Sequence, residues 1–188
     1  MEYSVSTLKT NTIQAATGTI VSVANGHTFA PTGHVIQTKS MTLTSATTAS
    51  SNSYTDSGLT LNITPSATSS KILITGFICL GVDYFKNYMR VVRDSTDLAV
   101  GDEAGTRERV FASVLPADTG WDSYGVQAVP INLLDSPNTT SLVNYKVQFK
   151  CYRGTGGTAS VNRSQSDRNN SGYDERTVSV LTLQEIAA

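Results

Sequence analysis

The stretch KILITGFICLGV, residues 71–82, decides the fold of this chain. It is short and rich in β-branched residues, and turn-forming residues precede it, so it predicts a β-strand. Side chains alternate across a strand, so Ile72 and Ile74 share one face while Leu73 and Phe77 share the other. Both faces are largely apolar, whereas a half-exposed strand alternates apolar with polar residues. We therefore expect a facing sheet to cover one face and another copy of the chain to cover the other.

The closing strand VSVLTLQEI, residues 178–186, is also apolar on both faces in its first half. A strand this hydrophobic belongs in the middle of a sheet, because an exposed edge would invite aggregation. We predict that the two doubly apolar strands form the contact between subunits. The predicted interface residues are Leu73, Phe77, Val180, Leu181 and Leu183.

Composition favours a single β-rich domain with an appendage. Of 188 residues, 39% are hydrophobic and only 15% are charged, a balance that favours strands and turns over helices with charged faces. A net charge of -1 gives no electrostatic footprint for nucleic acid or an anionic membrane. The N-terminus has no signal-peptide pattern, and no segment has the roughly 20 apolar residues that span a bilayer. We expect a soluble chain with no nucleic-acid partner and no membrane insertion.

Strand and turn signals recur at about the 8–12-residue spacing that is typical of a sandwich, without sustained helical periodicity. Pro130 removes a hydrogen-bond donor from its strand, which predicts an edge position or a bulge. We predict an all-β fold, an antiparallel jelly-roll-like β-sandwich. The predicted strands are 34–44, 59–63, 71–82, 84–94, 98–100, 107–115, 126–134, 145–152, 159–162 and 178–186.

Residues 1–33 form a predicted N-terminal arm, and residues 34–188 form the predicted sandwich domain. The arm has only short apolar stretches, which Gly18 and the turn dipeptide Asn25-Gly26 interrupt, so it cannot form a hydrophobic core alone. We expect it to pair with copies of itself or to dock on a partner, as an attachment or trimerisation arm. The apolar arm residues are Leu8, Ile13, Ile20 and Val23.

Cofactor, metal and catalytic patterns are missing from the sequence. His27 and His34 flank a turn with no cysteine or aspartate nearby, as surface histidines do. The glycine-rich segment 153–158 lacks the lysine and the following helix of a phosphate loop, and no acidic run has calcium-loop spacing. Cys79 and Cys151 fit small buried hydrophobic residues, with a disulfide between them as the alternative. We expect no enzyme, no cofactor and no metal.

Three segments resemble small virion proteins of tailed bacteriophages, especially those of aquatic phages. They are YTDSGLTLNITPSATSSKILIT (54–75), NLLDSPNTTSLVNYKVQF (132–149) and VSVLTLQEIA (178–187), and the resemblance covers residues 54–188. The run STLKTNTIQAATG (6–18) resembles the N-terminal segment of phage fibre proteins. The resemblance implies a structural protein on the tail or capsid surface of a virion, made in the host cytoplasm, with other virion proteins as partners.

The order of strands is more distantly similar to the trimeric jelly roll of the tumour necrosis factor and complement globular-head group. The shared features are a hydrophobic strand after a short turn, a hairpin (MRVVRDSTDLAV, 89–100) and a hydrophobic C-terminal strand. This resemblance implies a homotrimer with the C-terminal strand near the three-fold axis. The insertion at 153–177 departs from that pattern.

Exposed loops on the rigid scaffold are the candidate receptor sites. Their aromatic faces can stack on sugar rings, and their arginines can pair with acidic groups of a cell envelope. The predicted receptor-binding residues are Trp121, Tyr124, Arg163, Arg168, Tyr173 and Arg176.

The sequence therefore favours a homotrimeric tail fibre, either the adaptor or the distal receptor-binding part, that attaches to a host-surface glycan. The alternative is a capsid decoration or cement protein, or a head fibre, whose arm clamps capsid subunits. A depolymerase is disfavoured because no catalytic carboxylate pair is identifiable.

Overall fold

The computed structural model describes residues 31–81, 86–115, 124–152 and 157–188, and Pro31–Ala188 forms one compact unit. The regular structure in these ranges is a set of β-strands, with no α-helix and hence no helix that could cross a membrane. The predicted arm residues Leu8, Ile13, Ile20 and Val23 lie outside the described ranges. The strands are β1 (Val35–Leu43), β2 (Thr47–Ala49), β3 (Thr55–Ile63), β4 (Lys71–Gly81), β5 (Asn87–Arg93), β6 (Thr96–Leu98), β7 (Ala112–Val114), β8 (Val126–Asp135), β9 (Val143–Cys151), β10 (Ala159–Val161) and β11 (Ser179–Ile186).

The strands form two antiparallel sheets that pack as a sandwich around a shared core. Sheet A has the order β1, β11, β4, β8. The short strand β10 pairs with the last residues of β4, and β2 pairs with the other edge of β10. Sheet B has the order β3, β9, β5, and β6 and β7 pair with the two halves of β5. Eight of these strands follow the jelly-roll arrangement. Numbered one to eight in chain order, they give the sheets 1-8-3-6 and 2-7-4-5; the eight are β1, β3, β4, β5, β7, β8, β9 and β11. The predicted fold class is confirmed.

Strand β4 has one face in the core and one face outside, as its alternation predicts. Ile72, Ile74 and Ile78 are fully buried on the inner face. Leu73 and Phe77 lie on the outer face and are only partly buried within the single chain. The outer face therefore retains the apolar surface that led us to expect a second cover.

Two of the predicted interface residues belong to the core. Leu181 lies opposite Gly76 and Leu183 lies opposite Ile74 on the inner face of sheet A, and both leucines are fully buried. A side chain enclosed within its own subunit cannot contact another, so the assignment of Leu181 and Leu183 to the interface is wrong. Val180 lies opposite Phe77 on the outer face.

The sheet positions of the last strand and of Pro130 follow the sequence predictions. Strand β11 pairs with both β1 and β4, so it is central in sheet A. In the described part of the chain β8 pairs with β4 alone, which places Pro130 on an edge strand. Cys79 and Cys151 are buried and free, in sheets A and B respectively.

Four strands differ from their sequence predictions: β3 begins at Thr55 and not at residue 59, β6 spans Thr96–Leu98 and not 98–100, and β2 and β7 differ as follows. β2 (Thr47–Ala49) lies in a Ser/Thr/Ala-rich segment that we expected to be a loop, and it forms because it pairs with β10. β7 keeps only Ala112–Val114 of the predicted strand 107–115. The charged first half of that segment instead forms a loop. An ion pair of 2.7 Å between Glu108 and Lys150 connects this loop to β9.

A buried polar network fills the gap where β10 and β11 follow one another along β4. Asn162, at φ +60°, donates from Nδ2 to the Leu43 carbonyl (2.8 Å) and the Ser45 carbonyl (3.0 Å). Ser179 Oγ donates to Asn162 Oδ1 (2.6 Å) and accepts from the Cys79 N–H (2.9 Å). Because each group has a partner, the network joins β1, β4 and β11 without an unpaired buried polar atom of its own.

The fully buried carboxylate of Glu185 holds the opposite end of β11. Its Oε1 accepts from the Ser66 N–H (2.7 Å), Ser66 Oγ (2.6 Å) and Ser70 Oγ (2.7 Å), and its Oε2 accepts from Gln37 Nε2 (2.6 Å). Burial opposes ionisation, but these hydrogen bonds together outweigh it and hold the pKa of Glu185 below its ordinary value.

Candidate functional site

The candidate receptor loops meet at the end of the sandwich where β4 ends. β8 and β11 run antiparallel to β4, so the segments that precede them arrive at this end. The Asn87 Nδ2 donates to the Gly81 carbonyl (2.7 Å), which brings the start of β5 in sheet B to the same place. We call this region the loop end.

Three of the predicted receptor residues form one cluster at the loop end. The Arg168 guanidinium carbon lies 4.2 Å from the centroid of the Tyr124 ring and 5.4 Å from that of Tyr173. The two tyrosine rings are 5.6 Å apart between centroids and are tilted by 46°. Tyr173 is 46% exposed. The structure thus brings together side chains from two loops that are far apart in sequence.

Asp174 holds Arg168 in this cluster. Its Oδ2 lies 3.1 Å from Arg168 Nε, and its Oδ1 accepts hydrogen bonds from the hydroxyl groups of Ser164 and Ser166. The Ser164 and Ser166 hydrogen bonds, together with the Arg168 guanidinium, lower the pKa of Asp174 to about 2. Asp174 is therefore ionised at neutral pH and neutralises the arginine.

Arg163 and Arg176 form a separate group around Asp167. Their ion pairs with Asp167 are 2.6 Å and 2.7 Å, across a β-bridge that joins the two arginines. Together with the pair between Arg168 and Asp174, this commits the guanidinium groups to partners within the loop. Our expectation that they serve as forks for acidic ligands is not matched by this geometry. Trp121, the remaining predicted receptor residue, lies outside the described ranges.

An open pocket of about 400 Å³ lies beside the tyrosine pair. Its volume is that of a small-ligand site. Aromatic rings can stack on the apolar face of a sugar, and carboxylates can accept hydrogen bonds from its hydroxyl groups. The lining residues are Tyr124, Gly125, Ser171, Gly172, Tyr173, Asp174 and Glu175.

The outer face of sheet A is a second candidate surface, because its described residues carry no charge across its centre. Directly opposed residues form rows across the sheet, such as Thr42, Val180, Phe77 and Pro130. Lys71 stands at the margin, where its Nζ donates to Ser136 Oγ (2.8 Å). The residues of this face are Thr38, Ser40, Thr42, Leu73, Thr75, Phe77, Cys79, Ala128, Pro130, Asn132, Leu134, Val180, Thr182, Gln184 and Ile186.

Sequence reasoning missed the ion pairs of the loop and the neutrality of the outer face. The alternation of Arg163, Asp167, Arg168, Asp174 and Arg176 along one polar segment is the signal that could have indicated the ion pairs. The neutral face emerges only from the register that places β1, β11, β4 and β8 side by side. Within the described ranges, no group of three His, Cys, Asp or Glu side chains is placed to hold a metal ion.

Comparisons with known proteins yield fold similarity alone. No protein-family model and no curated protein matches the chain. Two solved structures of infectious bursal disease virus, from the Gx and Gt strains, are similar to 82% of the chain, each with a TM-score of 0.37. Their sequence identities to the chain are 11% and 12%, and the match covers 38% and 39% of their own chains. The chain thus spans less than two fifths of the length of either.

Proposed function

We propose that the chain is a virion structural protein that forms a homotrimer and acts in host attachment, as the adaptor or distal receptor-binding part of a tail fibre. The observation that carries this proposal is the uncharged outer face of sheet A. The protein acts by binding, with a host-surface glycan as the ligand.

The outer face has the composition of a subunit interface. The cores of protein interfaces are depleted of charged residues, and Phe77, Leu73 and Leu134 supply apolar area, with Leu134 59% exposed in the single chain. Copies of a charged face would repel one another, whereas this face can meet its own copies without opposing like charges. A second and a third copy of the chain are therefore the occupants that fit it.

The number three comes from the resemblance to trimeric jelly rolls, in which the C-terminal strand lies near the three-fold axis. Here β11 brings Val180, Thr182 and Gln184 to the outer face. Burial of this face would therefore bring β11 close to the neighbouring subunits. A trimer also gathers three loop ends, so that weak single contacts with a glycan multiply.

The ligand that suits the pocket beside Tyr124 and Tyr173 is a neutral sugar. Tyr173 is 46% exposed, and Glu175 can accept hydrogen bonds from hydroxyl groups. The arginines contribute by positioning these groups, because Asp174 neutralises Arg168.

An adsorption experiment tests the receptor role. Tyr173→Ala should reduce binding of the labelled protein to host cells, because a lost aromatic stacking contact costs about 1 kcal/mol at each site and acts three times in a trimer. Leu142→Ala is the matched control, since Leu142 is 65% exposed and precedes β9 at the other end of the sandwich. Equal binding by the wild type and Tyr173→Ala would contradict the receptor role.

The second candidate, a capsid decoration protein or head fibre, is favoured by the internal pairing of the loop arginines. Three guanidinium groups held by Asp167 and Asp174 suit a loop that only faces solvent. Electron microscopy of virions labelled with an antibody against this chain separates the two: label at the tail tip supports the fibre, and label over the head supports decoration.

A further inference from the structure

A groove on the outer face of sheet B lies apart from the Tyr124 and Tyr173 cluster and was not foreseen from the sequence. It has a volume of about 710 Å³. Its floor is the outer face of β7, β5 and β9, where Tyr88 lies opposite both Ser113 and Lys150. The Tyr152 N–H donates to the Lys86 carbonyl (3.0 Å), which extends the pairing by one more row.

The segment between β6 and β7 forms the wall of the groove. Glu108 binds Lys150 Nζ at 2.7 Å, and the Gly101 N–H donates to the Val110 carbonyl (3.3 Å). The ion pair joins the wall to the floor, and the backbone hydrogen bond closes the base of the loop. The groove is therefore built by contacts within the chain. Its lining residues are Lys86, Tyr88, Thr106, Arg107, Glu108, Val110, Ser113, Leu115 and Tyr152.

The aromatic groups of the groove form a corner. The rings of Tyr88 and Tyr152 meet at 82° with centroids 6.1 Å apart, and Tyr152 is 58% exposed. Such a corner offers one ring for stacking and the edge of another beside it. The hydroxyl groups of Thr106 and Ser113 and the side chain of Leu115 complete a lining that mixes polar with apolar groups. A pyranose ring, with an apolar face and a rim of hydroxyl groups, has the matching chemistry.

The charges of the groove select among sugars. Lys86 and Arg107 line it as cations, while Glu108, the one carboxylate among the described lining residues, is already paired with Lys150. A guanidinium group binds a carboxylate through two parallel hydrogen bonds, which adds geometric selectivity to charge. A ligand that carries a carboxylate therefore fits better than a neutral one.

We propose that this groove is a second saccharide site, which binds a sugar unit bearing a carboxylate group. The ring stacks in the corner of Tyr88 and Tyr152, and Arg107 and Lys86 bind the carboxylate. A folded protein partner would need a wider surface, and an added peptide strand would need a sheet edge rather than a face. The site does not depend on whether the protein belongs to the tail or to the capsid.

The test is a titration of the full-length protein with three acidic oligosaccharides: oligogalacturonate, a hyaluronan tetrasaccharide and sialyllactose. At least one should bind saturably and shift the methyl NMR signals of Leu115 but not those of Leu142. The methyl ester of oligogalacturonate keeps the sugar backbone but replaces each negatively charged carboxylate with a neutral ester that carries one methyl group. If oligogalacturonate binds, its ester should bind on the order of tenfold more weakly.

Variants locate the binding site in the sheet B groove and distinguish it from the pocket beside Tyr124 and Tyr173. Arg107→Gln and Tyr152→Ala should each weaken binding of the acidic ligand by on the order of tenfold, because both side chains are exposed contacts. Lys39→Gln removes an exposed cation from sheet A and should leave binding unchanged, and in Tyr173→Ala the ligand should still shift the methyl signals of Leu115. No saturable binding up to about 10 mM by any of the three, or wild-type affinity in both groove variants, would overturn the proposal.

Discussion

Phe77 of β4 lies directly opposite Pro130 of β8 on the outer face of sheet A. The ladder between β4 and β8 continues through this pair, so the ring nitrogen of Pro130 faces the edge that β8 leaves open in the described structure. A proline there denies a further strand one hydrogen-bond donor. Pairing of two chains through this strand edge is therefore disfavoured. Phe77 supplies apolar area for association through the outer face of the sheet.

Phe77→Glu should convert the proposed trimer to monomers and leave the fold intact. The substitution places three carboxylates in an uncharged interface, and we expect the dissociation constant to rise on the order of 100-fold or more. Sedimentation velocity measures the oligomeric state, and circular dichroism checks the fold. A Phe77→Glu protein that stays fully associated would remove Phe77 from the interface.

Leu183→Ala should lower the stability of the fold and not act on the interface, because Leu183 is fully buried in the core. Deletion of a buried leucine side chain costs about 2–5 kcal/mol of unfolding free energy. Urea denaturation of the monomeric Phe77→Glu background gives this quantity without a contribution from association. A loss below 1 kcal/mol, as expected for a surface leucine, would contradict the core assignment.

Gly76→Ala should destabilise the pairing of β4 with β11. Gly76 has φ +147°, and a Cβ atom built there would clash with the carbonyl oxygen of Val180. We expect a loss of about 1–3 kcal/mol from backbone strain, and more from the clash. Gly101→Ala is the matched control, since nothing lies within 4 Å of its added Cβ. Equal thermal midpoints for the two variants would refute this reading.

Acid should weaken the fold through Glu185. Its folded pKa lies below the ordinary 4.5, so its contribution is complete above about pH 4.5 and is lost as the pH falls through the folded value. Glu185→Gln should cost about 1–3 kcal/mol at neutral pH, since its one acceptor oxygen can serve the serine donors but its amide nitrogen then faces the buried Gln37 Nε2 donor. The difference between wild type and variant, from urea denaturation at several pH values, should narrow as the pH falls. A difference that is constant down to pH 3 would contradict this role of Glu185.

The sequence predicted the strands well wherever hydrophobic alternation was strong. β4, β8, β9 and β11 begin and end within two residues of their predicted bounds. β2 was missed because Thr47–Ala49 has little hydrophobic pattern and becomes a strand only by pairing with β10. Local sequence does not contain that pairing, which depends on tertiary structure.

The candidate sites were less predictable than the strands. Alternation separates Val180 from Leu181, but it cannot tell which face of a doubly apolar strand enters the core, and so Leu181 and Leu183 were misassigned. The loop residues Tyr124 and Tyr173 were selected by residue type, and their proximity follows from β8 and β11 running antiparallel to β4. The sheet B groove joins residues of three strands and one loop, which no local pattern connects.

The mass of the wild-type chain in solution tests the proposed trimer most directly, and light scattering during size-exclusion chromatography at micromolar concentration measures it. A trimer elutes as a single species of three times the 20.0 kDa of one chain. A stable species of 20.0 kDa would leave the uncharged face of sheet A without its proposed occupant and would contradict the central claim.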